Sequence, residues 1–402
     1  MNAVGIDVSK GKSMVAVMRP FGEVVASPFE VGHTASELKK LAGFLKSLNG
    51  ETRVIMEYTG RYFQPIAYFL HKEGLFVSVI NAILVHDYGA RTLRRGKTDK
   101  KDAIKLANYA LDRWIDLVEY HPEEDVRQTL KTYNRQYNQY MKLKVMLKNN
   151  LIALLDQTIP GVNTFFSSPP RQDGHEKWID FAMKFWHCEC ITELSEKIFK
   201  ERYLKWCQKN GYQYNAKKAE DIYVEACGHV NTLPKNDCTK LLVTQAIHQL
   251  NTVSETLSVI MGEMRRLSAM LPEYSVVMAM HGVGDSLGPQ LMAEIGDVRR
   301  FYCKKALVAF AGLDSPPYQS GSFEAQSRSI SKRGSPLLRK ALFQVMSCIL
   351  RSSTGEEPVF QYLDKKRSEG KHFYIYMMAG ANKFLRIYYA RTKEYLDRLE
   401  AA

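Results

Sequence analysis

Residues 4–8 make a short apolar run with Asp7 near its end, residues 13–18 a second run across a turn at 10–12, and residues 23–31 a third, β-branched one. Runs of this length bounded by turn residues read as strands. Leu38, Leu41, Leu45 and Leu48 then fall at helical spacing over residues 36–48. Residues 53–58, RVIMEY, form a buried-type strand that carries Glu57 at its end, before the turn at Thr59 and Gly60. A helix over 62–72, a strand over 76–80 and further helices to residue 117 complete the region. Three strands in a meander followed by helix–strand alternation predict one α/β domain over residues 1–120.

That order is the one expected of a ribonuclease-H-like sheet, and in open α/β sheets functional groups gather beyond the carboxyl ends of the strands. Asp7 and Glu57 sit at two such ends. Residues 94–105, RRGKTDKKDAIK, add Asp99 and Asp102. Three residues apart on a helix, these two carboxylates share a face, with β-carbons roughly 5–6 Å apart. Phosphoryl transfer with two divalent ions about 3.5–4 Å apart needs several hard oxygen ligands, more than one acid supplies. The four acids are therefore expected to converge on Mg²⁺. Each has a simpler reading by itself: Asp99 as a helix cap, Glu57 as an exposed strand end, Asp7 as the start of a turn. Their order within basic sequence favours the joint site.

The opening GIDVSKGK also resembles the first phosphate hairpin of sugar-kinase and actin-like ATPases. Those enzymes need further Gly-rich loops for the remaining phosphates, and no second one stands at a fitting place. A formal net charge of +13 points instead to a longer anion, nucleic acid. Arg94, Arg95, Lys97, Lys100 and Lys101 around the acid pair are expected to position its phosphates. No apolar run approaches the roughly 18 residues of a membrane span, and the N-terminus starts directly as a strand, so a cytoplasmic protein without membrane attachment is expected.

The seven cysteines, an odd number, read as reduced core thiols. His187, Cys188 and Cys190, with Cys207 or Cys227 and His229, offer zinc donors, but their spacing fits no standard paired-knuckle pattern.

Over residues 121–275 the expectation is a coiled-coil arm with a helical insert at about 160–235. Its first seam runs Val126, Leu130, Tyr133, Tyr137, Tyr140, Leu147, Leu151 and Leu154, broken at Lys144. Its second runs Val243, Ala246, Leu250, Val253, Leu257, Ile260, Met264, Leu267 and Leu271. Two such helices form either an antiparallel hairpin or a seam for another subunit. Aromatics in the insert, among them Phe165, Trp178, Trp186, Tyr203 and Trp206, read first as a small core and second as stacking platforms for single-stranded nucleic acid.

The remainder, 276–402, is expected to be a mainly α-helical domain. Gly282-Val283-Gly284 before an apolar-periodic helix resembles a helix-hairpin-helix phosphate clasp, or serves as a plain interhelical turn. Residues 311–334 hold Ser315, Ser320, Ser322, Ser327, Ser329 and Ser331 beside Arg328, Lys332 and Arg333, with Arg339 following. A serine there attacks a phosphodiester only if the developing charge is stabilised and its proton accepted.

Taken in order, GIDVSK, MEYTG, KTDKKDA, HGVG, EIGD, AGL, QSG and SKRG resemble the IS-one-ten transposase family, the insertion-sequence group related to the Piv DNA invertases. The likeness spans essentially the whole chain and is weakest over 160–234. It implies a RuvC-like first domain whose four acids, Asp7, Glu57, Asp99 and Asp102, bind Mg²⁺. It implies a nucleophilic serine matching Ser320, with Ser315 its nearest competitor. It further implies a covalent phosphoserine–DNA intermediate, a structured non-coding bridge RNA as guide to donor and target DNA, a homodimer or homotetramer, and a nucleoid-associated bacterial or archaeal setting. Residues alone leave two alternatives: a hydrolytic nuclease or junction resolvase using water, and a non-catalytic RNA-binding scaffold.

Overall fold

The computed structural model describes residues 1–88, 98–171, 173–315, 319–320, 323–324, 329–352 and 355–401. Arg94, Arg95, Lys97 and Arg328 lie outside the described residues, as do Ser322 and Ser327. The chain divides into two compact units, Met1–Glu123 and Glu124–Ala402.

In the first unit, β1 (Asn2–Val8), β2 (Lys12–Met18) and β3 (Val24–Gly32) form an antiparallel meander, and β4 (Thr52–Glu57) and β5 (Phe76–Ile80) add in parallel on the other side of β1. The sheet order is β3-β2-β1-β4-β5. The two parallel connections carry α1 (Ala35–Ser47) and α2 (Gln64–Lys72). Thr34 caps α1 through its side chain, and Leu38, Leu41 and Leu45 bury its inner stripe against Val15, Val17 and Val54. The opposite face of the sheet receives α4 (Asp99–Asp112), preceded by α3 (Ala82–Tyr88). An α/β unit with a mixed sheet is what the apolar runs predict.

The second unit is almost wholly helical among the described residues. Two long helices, α5 (Asp125–Leu155) and α10 (Asp237–Ala269), pack along each other. Leu130 near the start of α5 shares a core with Met264 and Leu267 near the end of α10, while Leu151 and Leu155 meet Val243 and Ile247, so the pair is antiparallel. The buried line on α5 is not the anticipated one. Arg127, Leu130, Asn134 and Asn138 face inward, and Val126, Tyr133 and Tyr137 flank them half-buried. Polar side chains occupy the inner stripe because each finds a partner on a distant element, as described below.

At the far end of the hairpin, α6 (Lys177–Lys184), α7 (Glu189–Thr192), α8 (Glu196–Asn210) and α9 (Ala216–Gly228) build a small core of their own. Phe165, Trp178, Phe181, Phe185, Tyr203 and Trp206 are buried in it. The Phe181 ring meets Phe165, Phe185, Tyr203 and Trp206 at centroid distances of 4.8–6.1 Å. These rings therefore make a core and present no stacking platform, which removes the single-strand reading for them. Both ring nitrogens of His187 are engaged by backbone, with Leu233 O at 3.0 Å and Glu189 N at 3.1 Å, and burial pushes the Cys188 thiol up to about 11. His187, Cys188 and Cys207 are buried packing residues, Cys227 and His229 are exposed, and no group of three His, Cys, Asp or Glu side chains at metal-holding spacing is found among the described residues.

The other end of the hairpin joins a larger core, formed with α11 (Tyr274–Met278), α12 (Leu287–Ile295), α13 (Lys304–Phe310), α14 (Pro336–Ser352), α15 (Pro358–Ser368) and α16 (Phe373–Ala401). Two short strands, β6 (Gln319–Ser320) and β7 (Phe323–Glu324), pair between α13 and α14. No described helix is long and apolar enough to cross a membrane.

Candidate functional site

The acid edge is set by how α4 lies on the sheet. Strands β1 and β4 run parallel with Ile6 opposite Met56, so Asp7 and Glu57 are the next residues in register at two adjacent carboxyl ends. Gly5 makes the approach of α4 possible: a β-carbon there would collide with the Ala103 carbonyl oxygen and the Ala107 amide. Ala103, Ala107 and Ala110, all fully buried, give α4 the matching smooth stripe.

The direction of α4 follows from its two ends. Past its C-terminus the Trp114 carbonyl accepts from Arg53, the neighbour of Ala3 at the start of β1. At its N-terminus Asp99 lies close enough to feel the charge of Lys12, beside the end of β1. Helix α4 thus runs antiparallel to β1, and its first turn arrives where Asp7 and Glu57 stand. Thr98 caps that turn by accepting from Lys101 N at 3.3 Å, and Asp99 and Asp102 both occupy it. Asp7, Glu57 and Asp102 are half-buried, and Asp99 is exposed.

The four side chains do not close into a group of three or more donors at metal-holding spacing. What the fold supplies is the donor set: four carboxylates, the hard oxygen ligands that Mg²⁺ takes, on one edge of one sheet. Lys100 and Lys101 are exposed beside them. Lys12, at the same edge, is held above the ordinary lysine value by its hydrogen bond to Glu30 at 2.7 Å, by the Glu30 charge and, more weakly, by Asp99. Sequence reasoning passed over Lys12; its position beside Asp7 across the β1–β2 turn was the available signal.

In the second unit, Ser320 ends β6 and pairs with Phe323 at the start of β7. The foot of this loop is fixed by close backbone contacts. Gly312, with φ of 66°, passes against the Lys332 and Arg333 backbone, and a β-carbon on Gly334 would collide with the Phe310 carbonyl. Arg339 donates to the Ala311 and Gly334 carbonyls at 3.0 and 3.2 Å, so its guanidinium ties the two sides of the loop together. Ser331 donates its hydroxyl to Asp314, and the exposed Ser315 hydroxyl donates to the Ser329 carbonyl at 3.4 Å. Lys332 holds a left-handed φ of 55°, which costs a residue other than glycine about 1–2 kcal/mol. Arg333 is exposed beside it.

A buried polar chain runs from this foot into the hairpin. Ser335 caps α14 through Leu338 N and donates to Glu294 at 2.7 Å. The other Glu294 oxygen accepts from Asn134 at 2.8 Å, Asn138 donates to Asn134, and Lys340 donates to Asn138 at 3.0 Å. Burial, then Lys142, holds the Lys340 ammonium below the usual lysine range. None of Glu294, Asn134 or Asn138 was singled out from sequence, although the EIGD run contains the first of them.

Gly282 has a packing reason. Its φ is 78°, and a β-carbon would stand 2.6 Å from Ile349 Cγ1 and 3.1 Å from the Val345 carbonyl, so the turn is pressed against α14. A β-carbon on Gly284 would meet nothing within 4 Å, and the residue is exposed.

An acid edge on an α/β unit, followed by a helical unit that carries a serine loop, fits an enzyme acting on DNA of the transposase or recombinase class. The comparisons with known proteins agree with that class. A family model described as a transposase matches residues 4–160, and one described as the IS116/IS110/IS902 transposase family matches residues 274–359. The chain belongs to the IS110 family of insertion-sequence transposases. It is 25% identical to the pilin gene-inverting protein of Moraxella bovis over 342 residues, 85% of this chain and 80% of that one. It is 22% identical to an uncharacterised 44.8 kDa protein of insertion element IS116 from Streptomyces clavuligerus, over 91% of this chain and 88% of the other.

Proposed function

We propose that the chain cuts and rejoins DNA with Ser320 as nucleophile and with Asp7, Glu57, Asp99 and Asp102, on a RuvC-like domain, as ligands of Mg²⁺. The observation that carries this reading is the placement of the α4 first turn over the carboxyl ends of β1 and β4, which puts all four acids on one edge. A bound divalent ion would offset charge on the phosphoryl oxygens. The Ser320 oxygen attacks phosphorus and the bond to the 3′ oxygen breaks. The hydroxyl proton passes, in net terms, to the leaving 3′ oxygen. The phosphoserine ester conserves the phosphodiester energy, so attack by a second 3′-hydroxyl rejoins strands without ATP.

Lys100, Lys101, Arg333 and the open turn at Gly284 are assigned to phosphate positioning, together with Arg94, Arg95, Lys97 and Arg328. Lys332 is assigned the same task, and Arg339 acts through the loop it ties. A non-coding bridge RNA as guide and assembly as a dimer or tetramer follow from family resemblance, and with the cytoplasmic setting expected from the apolar pattern they are part of the same proposal.

The test is cleavage of labelled element-end DNA by the full chain with its guide RNA and Mg²⁺. Asp102→Ala should abolish cleavage while folding and RNA binding persist. Full cleavage by that variant would contradict the assignment, and a non-catalytic scaffold predicts no cleavage by any form. Mixing Asp102→Ala with Ser320→Ala protein asks whether acids and serine act from different subunits. Recovered activity means that they do.

A further inference from the structure

Beside the foot of the serine loop lies a cavity of about 910 Å³, walled by the loop on one side and by α15 and α16 on the other. Its volume is that of a small-molecule site. One wall is apolar, made by Leu313, Ile330, Ile375 and Met378 with the Tyr374 ring; the rim is cationic, with Lys332, Lys383 and Arg386. Among the described residues no Asp or Glu lines it.

The cations are not equally committed. Lys383 donates to the Pro358 carbonyl at 2.8 Å and stands 5.0 Å from the Tyr362 ring centroid, so it is part of the wall. Lys332 and Arg386 have no acidic partner among the described residues. Lys332 reaches the rim from its left-handed backbone, and such strain persists where surrounding structure over-determines it, as at ligand sites. Tyr374 lines the cavity and is 62% exposed, while its ring stacks with Phe343 and His372 and meets Phe373 edge-on, so the ring is held in place with much of its surface open.

An apolar wall with an anchored ring, a rim with two cations that meet no acid among the described residues, and room for one mononucleotide together describe a site for a base with its phosphate. We propose that this cavity receives one unpaired nucleotide of a DNA strand, with the base against Tyr374 and the phosphate met by Lys332 and Arg386. The choice of DNA rests on the proposed recombinase function and on the sharing of Ser315, Ser329 and Lys332 between cavity and serine loop. Extrusion of a base beside a reacting phosphodiester costs unstacking, which a stacking wall offsets.

The experiment is fluorescence anisotropy of labelled oligothymidylate DNA with the full chain, in physiological salt, for the wild type and for Tyr374→Ala, Tyr374→Phe and Arg386→Ala. Tyr374→Ala should weaken binding about tenfold, and Tyr374→Phe, which keeps the ring, should bind as wild type does. Arg386→Ala should lower the slope of log affinity against log salt by about 1. Oligouridylate RNA run in parallel separates the polymers. Wild-type affinity in both alanine variants overturns the proposal, and so does a loss confined to the RNA. The assay contains no cleavage step, so failure of the serine chemistry would leave its result standing, and failure here would leave that chemistry untouched.

Discussion

Glu294 accepts a 2.7 Å hydrogen bond from Ser335, and through its other oxygen it is tied to Asn134 on the hairpin. The foot of the serine loop is thereby joined to a helix some two hundred residues earlier in the chain. Glu294 is 6% exposed and Asn134 1%, so that amide has no water to turn to, and Ser335 is half-buried beside them. Glu294→Ala should destabilise the second unit by about 3 kcal/mol, since it leaves the Asn134 amide and Ser335 hydroxyl unsatisfied and opens a cavity. Glu294→Gln should cost about half of that. Denaturant unfolding measures both, and a Glu294→Ala loss below about 1 kcal/mol would mean that the chain of hydrogen bonds is not the tie described.

Gly5→Ala probes the acid edge without touching an acid. The added methyl meets backbone atoms of α4, which cannot rotate away as a side chain can. The first unit should lose about 1–3 kcal/mol through overpacking, and DNA cleavage should fall with displacement of Asp99 and Asp102. Cleavage assayed on protein shown to be folded by circular dichroism checks this. Unchanged stability and cleavage would place α4 elsewhere.

Tyr388 offers a prediction of opposite sign. Its side chain is buried near Arg127 and Glu273, its hydroxyl has no hydrogen-bond partner among the described residues, and burial pushes its ionisation far up. Removing an unsatisfied buried hydroxyl while keeping the ring should be neutral or stabilising by up to about 1 kcal/mol. Thermal unfolding of Tyr388→Phe decides it; a fall in melting temperature would reveal a partner for that oxygen.

The Asp297 carboxyl, half-buried, is pushed up by desolvation but pulled further down by its hydrogen bonds to Arg299, by the Arg299 charge and by Arg127, and it ends below the ordinary value. A carboxylate lowered in the folded state binds its proton more readily when unfolded. It therefore adds stability above the unfolded value of about 3.9, and that stability is lost as pH falls through the folded value. Wild type should lose stability more steeply than Asp297→Asn from about pH 5 downward. Parallel unfolding curves for the two would contradict this.

Much of the first unit was legible because its signals are local. Strand and helix bounds read from apolar runs agree with the structure within one or two residues, and Asp7 and Glu57 fall at strand ends as expected. The hairpin was legible in outline only. Arg127, Asn134 and Asn138 look like solvent positions, and they turn inward because Glu273, Glu294 and Lys340 meet them there. Gly282 shows the same limit, since the neighbour that demands glycine, Ile349, is 67 positions away. Partners that distant leave no periodic trace, and the α15–α16 cavity was invisible for the same reason.

The central claim is that a serine carries the phosphoryl group, and a denaturing gel tests it most directly. The full chain, the proposed guide RNA, end-labelled element DNA and Mg²⁺ are incubated and denatured, and label migrating with protein is measured. The account predicts a covalent adduct in wild type and Ser315→Ala that is absent in Ser320→Ala. DNA cleavage at full rate by Ser320→Ala would contradict it, leaving water as the nucleophile.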